Sequence, residues 1–219
     1  VFNMLSGYSE PKSWNRLILA PLWLRGSFLN MIRRETEHAR EGVPARIVAK
    51  MNSLCDKEII AALYEASAAG VEIDLIIRGI CCLKTGIPKV SEHIRVRSLV
   101  GNFREHARIF YFRNGGEEEF YMGSADWMPR NLDKRVEITF PGEDQRLKEE
   151  GRHILQIQLE DNVKAHILQP DGSYEKIDKR GKTLVCAQEY FCEEAVRRAK
   201  TESEKLPERV FIPMEAEEV

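Results

Sequence analysis

What this 219-residue sequence lacks narrows its class. No window approaches the roughly 18 uninterrupted apolar residues that a membrane span needs, and the first residues carry no basic-then-apolar signal pattern. Five cysteines, an odd number with Cys81 and Cys82 adjacent, make no disulfide framework. Nor does any pair stand at zinc-knuckle spacing with a matching second half. There is no internal repeat and no low-complexity block. Neither sign of charge dominates, with 33 basic and 35 acidic residues for a net charge of −2. What remains, with 43% hydrophobic residues, is a water-soluble chain able to build one large core, or one and a half. A reducing cytoplasm fits the free thiols. The chain opens on Val1 in mid-phrase, so a fragment of a longer protein is expected.

The near-zero net charge conceals a division. Residues 78–135 carry eleven Lys or Arg against seven Asp or Glu, a local +4, whereas residues 141–219 carry thirteen against eighteen, a local −5. The basic part favours a polyanion such as a nucleotide, a phosphate polymer or nucleic acid. The charged, acidic residues 201–219 read as a tail, leaving residues 1–200 as the folded domain.

Strands and helices alternate along the chain. Residues 16–20 read as a short strand. Leu24, Phe28, Leu29 and Ile32 then stand at helical spacing in a helix that stops at Gly42. Residues 45–50 form a second strand. Asp56 caps a helix carrying Ile59, Ile60, Leu63 and Tyr64 on one face, with Gly70 as its stop. Residues 71–77 form a third strand, followed by a loop. Later come a strand at residues 136–140, one long helix over 144–168 that includes His153 and His166, and a last amphipathic helix over 183–200. The pattern predicts an α/β fold: a mixed, mostly parallel sheet with helices on both faces and ligands beyond the carboxyl ends of the strands.

The most informative stretch is a hairpin. Residues 109–112 and 120–122 are aromatic and β-branched runs, and Gly115-Gly116 supplies the positive φ angles of a two-residue turn. That turn sets the register: Phe112 faces Glu119, Phe110 faces Tyr121, Arg108 faces Gly123 and His106 faces Ala125. His106 and Arg108 then share a face, above Gly123 and Ala125, which leave room for a ligand unless Gly123 marks a bulge or a tight strand crossing. An imidazole beside a guanidinium suits phosphoryl chemistry. The competing reading is an ordinary structural histidine.

Arg78 follows the third strand directly, where such folds place ligand contacts, and Gly79 lets backbone approach closely. Asn52 and Ser53 occupy the equivalent place after the second strand, but their residue types favour turn-making. Asp126, Arg130, Asn131, Asp133 and Arg135 form a polar run with Trp127 and Met128 as core plugs beneath. Ser124, Asp126, Arg130 and Asn131 are either a supporting shell for His106 and Arg108 or an ordinary loop network of ion pairs.

His106-Ala107-Arg108 followed by Gly123-Ser124-Ala125-Asp126 resembles the phospholipase D superfamily signature, a His-x-Lys followed by Gly-Ser-x-Asn. More specifically, residues 45–54 (ARIVAKMNSL), 77–83 (IRGICCL), 93–98 (HIRVRS) and 123–131 (GSADWMPRN) resemble the last catalytic domain of bacterial polyphosphate kinases, over nearly the whole chain from about residue 5 to residue 200. The departures from the wider superfamily are Arg108 for its lysine, Asp126 for its asparagine and Arg113 for a downstream aspartate. They argue against a second, diesterase site.

The resemblance implies ATP-dependent, reversible transfer of a terminal phosphoryl to polyphosphate, with His106 catalytic and Arg78, His106 and Arg108 binding nucleotide phosphates. It implies ATP or ADP and polyphosphate as partners, magnesium without located ligands in this chain, and the remaining N-terminal domains of the same enzyme. A homo-oligomer in the cytoplasm, with membrane association at full length, is also implied, and no specific nucleic acid. In that family the histidine that becomes phosphorylated lies in the preceding domain, so the chain alone is expected to be inactive. Two alternatives stand beside this reading: a non-catalytic polyanion- or nucleotide-binding module, and a phospholipase D-type phosphodiesterase.

Overall fold

A computed structural model describes residues 1–8, 14 and 16–205. In chain order the elements are α1 (Phe2–Leu5), β1 (Ile18–Leu19), α2 (Leu24–Arg40), β2 (Arg46–Met51), α3 (Lys57–Ala68), β3 (Glu72–Ile77), β4 (Ile94–Leu99), β5 (Arg108–Phe112), β6 (Glu119–Gly123), α4 (Pro129–Asp133), β7 (Ile138–Pro141), α5 (Gln145–Glu160), β8 (Ala165–Leu168), β9 (Tyr174–Lys176) and α6 (Ala187–Lys205). The Asp56 cap is as expected, its Oδ1 accepting the Ile59 amide at 3.1 Å. The part of the expected tail beyond residue 205 lies outside the described residues, and α6 itself runs past residue 200.

Among the described residues nine strands form one sheet in the order β1-β7-β6-β5-β2-β3-β4-β8-β9. It is mixed, as expected, but parallel pairing is confined to β2-β3-β4 and six of the eight pairings are antiparallel. The expectation of a mostly parallel sheet therefore holds only at the centre. Two strands lie where the periodicity predicts none: β4 extends the parallel centre, and β8, within the helix expected over 144–168, adds antiparallel pairings with β4 and β9. That helix stops at Glu160 because the buried Asp161 carboxylate takes the amides of Val163, Lys164 and Ala165 at 3.0, 2.7 and 3.1 Å. His166 thus lies on a strand and not on a helix.

Helices cover both faces. On one side Leu24, Phe28 and Ile32 of α2 and Ile59, Leu63 and Ala66 of α3 pack on Ile47, Ala49, Met51, Ile73, Leu75, Phe110 and Phe112. On the other, Leu155 of α5 packs on Val48, Ile76, Ile109, Tyr111 and Phe120. Alternate residues of β2 and β5 feed opposite cores, so both strands are apolar over most of their length, as strands buried on both faces are. Phe28, Phe110 and Trp127 meet with ring centroids 4.6, 5.3 and 5.2 Å apart, which fixes the loop after β6 to the core.

The hairpin register is the expected one, Arg108 opposite Gly123 through Phe112 opposite Glu119. β5 lies between β6 and β2, away from either edge. The turn is longer than two residues, because the amide of Asn114 binds the buried Glu35 carboxylate of α2 at 2.6 Å and a short 3-10 turn forms over Asn114–Gly116. Gly123 is needed for close strand approach. A Cβ there would stand 2.5 Å from Thr139 Oγ1 and 2.6 Å from the Ile138 carbonyl. Ala125 is fully buried, so the space beside these two residues belongs to β7 and the core and not to a ligand.

Phe110→Ala should cost about 3 to 5 kcal/mol of stability, the usual range for emptying a buried ring site. By contrast Leu147→Ala, on the exposed side of α5, should stay within about 0.5 kcal/mol. Urea unfolding of the two variants checks this, and similar losses in both would contradict the assigned core.

Candidate functional site at the strand ends

The parallel strands β2 and β3 end side by side at Met51 and Ile77. β5 runs back along β2 with Ile109 opposite Lys50, so it begins where they finish, and β6 ends at Gly123 opposite Arg108. Asn52, Arg78, Arg108 and Asp126, far apart in sequence, therefore leave the sheet at one place. Gly79 makes the approach possible: its amide donates to the Asn52 carbonyl at 2.7 Å, and a Cβ would stand 2.9 Å from that oxygen.

The buried Asp126 carboxylate organises the group. Its Oδ1 accepts the Asn52 amide at 2.8 Å and Arg108 Nε at 3.1 Å, while Oδ2 accepts Arg108 Nη2 at 3.3 Å. Asn52 Nδ2 also donates to Asp126, and Asn52 Oδ1 accepts Arg78 Nη2 at 2.7 Å. Arg108 Nη1 donates to the His106 carbonyl at 3.0 Å. One carboxylate thus holds Arg108 directly and Arg78 through Asn52.

His106 is exposed beside this group. Partial desolvation, then the Arg108, Arg104 and Arg78 guanidiniums, push its imidazole below the ordinary value, with Asp126 opposing them. A neutral ring at neutral pH has one donor nitrogen and one acceptor. The Arg108, Arg104 and Arg78 guanidiniums together outweigh Asp126 in their effect on the ring. Such a site attracts phosphate oxygens and stabilises charge that develops on them.

The expected site residues divide into two groups. His106, Arg78, Arg108 and Asp126 converge. Ser124 and Asn131 instead converge on the buried Glu137, to which the Ser124 hydroxyl and Asn131 Nδ2 both donate, tying the loop to the start of β7. Arg130 is exposed, without a hydrogen-bond or ion-pair partner for its guanidinium among the described residues. No acid or amide among the described residues bonds the His106 imidazole, so the shell braces Arg108 and the loop and not the ring. Asp133 serves elsewhere, paired with Arg25, which also binds Asp56 at 2.9 Å. The residue types of Asn52 pointed to a turn, yet it is buried and joins Arg78 to Asp126. Lys50 was overlooked too. Its signal is a cation between Ala49 and Met51 in the middle of the apolar run 47–51.

Among the described residues no three His, Cys, Asp or Glu side chains converge as a metal site. The carboxylates of Asp126 and Glu137 are already engaged by the donors just named.

Comparisons with known proteins agree with this architecture. A crystal structure of a phospholipase D family member, Nuc from Salmonella typhimurium, superposes with a TM-score of 0.51 at 17% identity over 70% of this chain and 97% of that one, a likeness of fold. The crystal structure of polyphosphate kinase from Porphyromonas gingivalis superposes with a TM-score of 0.86 at 41% identity, over 91% of this chain and 31% of that one. Residues 17–188 match the family described as polyphosphate kinase C-terminal domain 2, and the chain belongs to that family. Polyphosphate kinase from Synechocystis is 58% identical over 174 residues, and that from Pseudomonas aeruginosa 50% over 181. These alignments cover 80% and 83% of this chain but 24% and 26% of the relatives, so the chain spans about a quarter of their length.

By NMR titration His106 should protonate below the ordinary histidine value of about 6.5. In Asp126→Asn the midpoint should fall further, because the opposing charge of Asp126 is gone. A midpoint that rises in that variant would contradict the field described.

Proposed function

We propose that this chain is the part of a polyphosphate kinase that engages the transferring phosphates, in the reversible transfer of the terminal phosphoryl of ATP to a growing polyphosphate chain. The observation that carries this reading is the convergence of His106 with Arg78, Arg104 and Arg108 at the strand ends. Arg78 and Arg108, held by Asn52 and Asp126, bind phosphate oxygens by charge-assisted hydrogen bonds. Because their partners fix them in advance, little reorganisation is needed as charge moves from donor to acceptor. His106 touches the transferring group, accepting or donating a proton at its ring nitrogens. Ser124, Asn131 and Arg130 support the loop and the entry of the polyanion.

Magnesium would arrive on the nucleotide's own phosphate oxygens. The nucleophile that becomes phosphorylated is supplied by the preceding domain, so the isolated chain binds ATP, ADP or polyphosphate without transferring phosphoryl groups. The full enzyme is read as a cytoplasmic homo-oligomer. No described helix is long and apolar enough to cross a membrane.

In the full-length enzyme Arg78→Ala should weaken nucleotide binding by about 1.5 to 3 kcal/mol, the range for hydrogen bonds to charged groups. Unchanged affinity, measured calorimetrically, would remove Arg78 from the site. Incubated alone with ATP labelled at the terminal phosphate, the chain should yield neither acid-labile phosphoprotein nor polymer. Its weak binding of polyphosphate should fall as salt rises. Label accumulating on His106 would make that residue the nucleophile and overturn the division of labour.

A further inference from the structure

His106 lies on an irregular segment between β4 and β5, and the residues on either side of it are tied to a buried cation. Lys50, 3% exposed within β2, places Nζ 3.1 Å from Glu105 Oε2 and donates to the Ala107 carbonyl at 3.3 Å. Glu105 also accepts Gln158 Nε2 of α5 at 3.0 Å and Gln188 Nε2 of α6 at 3.1 Å. Gln188 secures the start of the segment as well. Its Nε2 donates to the Phe103 carbonyl at 2.8 Å and its Oε1 accepts the Phe103 amide at 2.9 Å, with Gly101 pressed against the same amide group.

An ammonium in an apolar strand is costly unless paired and hydrogen-bonded. Burial pushes Lys50 below the ordinary lysine range, Arg78 and Arg108 add to that push, and Glu105 opposes it. The partners that compensate this cation are the neighbours of His106 on either side.

We propose that Lys50 and Glu105 are positioning residues: their buried ion pair, extended to α5 and α6 through Gln158 and Gln188, sets the imidazole of His106 against Arg78 and Arg108. This rests on the reading of His106 as a group that touches the transferring phosphate. Lys50 acts through His106 and makes no contact with substrate. It also ties the first turn of α6 to the site.

The test is a kinetic cycle in the full-length enzyme with Lys50→Met, Gln188→Ala, His106→Ala and the two doubles that include His106→Ala. Misplacing a catalytic group by about 1 Å can cost about a hundredfold. Lys50→Met should therefore lower kcat at least about tenfold, with a much smaller change in KM for ATP. In the His106→Ala background the same change should have almost no further effect. A loss of equal size with and without His106, or a lowered melting temperature at unchanged kcat, would overturn the proposal. If Lys50→Met does not fold, Gln188→Ala, on a half-buried residue, carries the same comparison. Full turnover in His106→Ala would instead defeat the reading of the site on which the proposal rests.

Discussion

Asp126 is a carboxylate buried at the meeting point of strand ends that share no local sequence, and the geometry of the site depends on how it is neutralised. A lone buried charge is unfavourable by several kcal/mol, so its oxygens must be filled. Here they are filled by an amide and side chain from the end of β2 and by the guanidinium that opens β5. Those donors are the groups that locate Arg108 and, through Asn52, Arg78. The same requirement that keeps the loop folded therefore holds two cations together at the strand ends.

The packing beneath supports that arrangement. Trp127, next to Asp126, is fully buried against Phe28 and Phe110, and its carbonyl accepts the amides of Cys55 and Asp56 at 2.9 and 3.0 Å. Asp56 in turn caps α3 and binds Arg25 of α2. A substitution at this junction acts on the site, the loop and two helices together, because they share one set of contacts.

The differences of this chain from the His-x-Lys and Gly-Ser-x-Asn signature, Arg108 and Asp126, acquire a physical meaning in this setting. Arginine at position 108 offers a planar fork that Asp126 can grip with Nε and Nη2 while Nη1 holds the His106 carbonyl. A lysine would supply one point charge without that geometry. An asparagine at position 126 would leave the cations uncompensated. The pair of departures is thus one device: the fixed cation and the buried acid that fixes it.

Much of this was legible along the chain. The apolar runs, the Asp56 cap and the constant-sum register of the hairpin follow from local rules, since side-chain periodicity and turn chemistry act over a few residues. The quoted motifs placed His106, Arg78 and Arg108 in one family of sites. What only the tertiary structure decided is everything that depends on which strand ends meet. The helix expected over 144–168 breaks because the Asp161 carboxylate takes the amides of the residues that follow it and that of Ala187 from a distant segment. Gly123 serves the close approach of β7 and not a ligand, because its ladder partner Thr139 lies against it. Asn52 becomes a bridge, and Lys50 a buried anchor for the residues flanking His106, only because β5 runs back along β2. Local sequence determined the elements and their candidate chemistry. The pairing of distant strands, a long-range outcome that no short window encodes, decided which side chains share a charge.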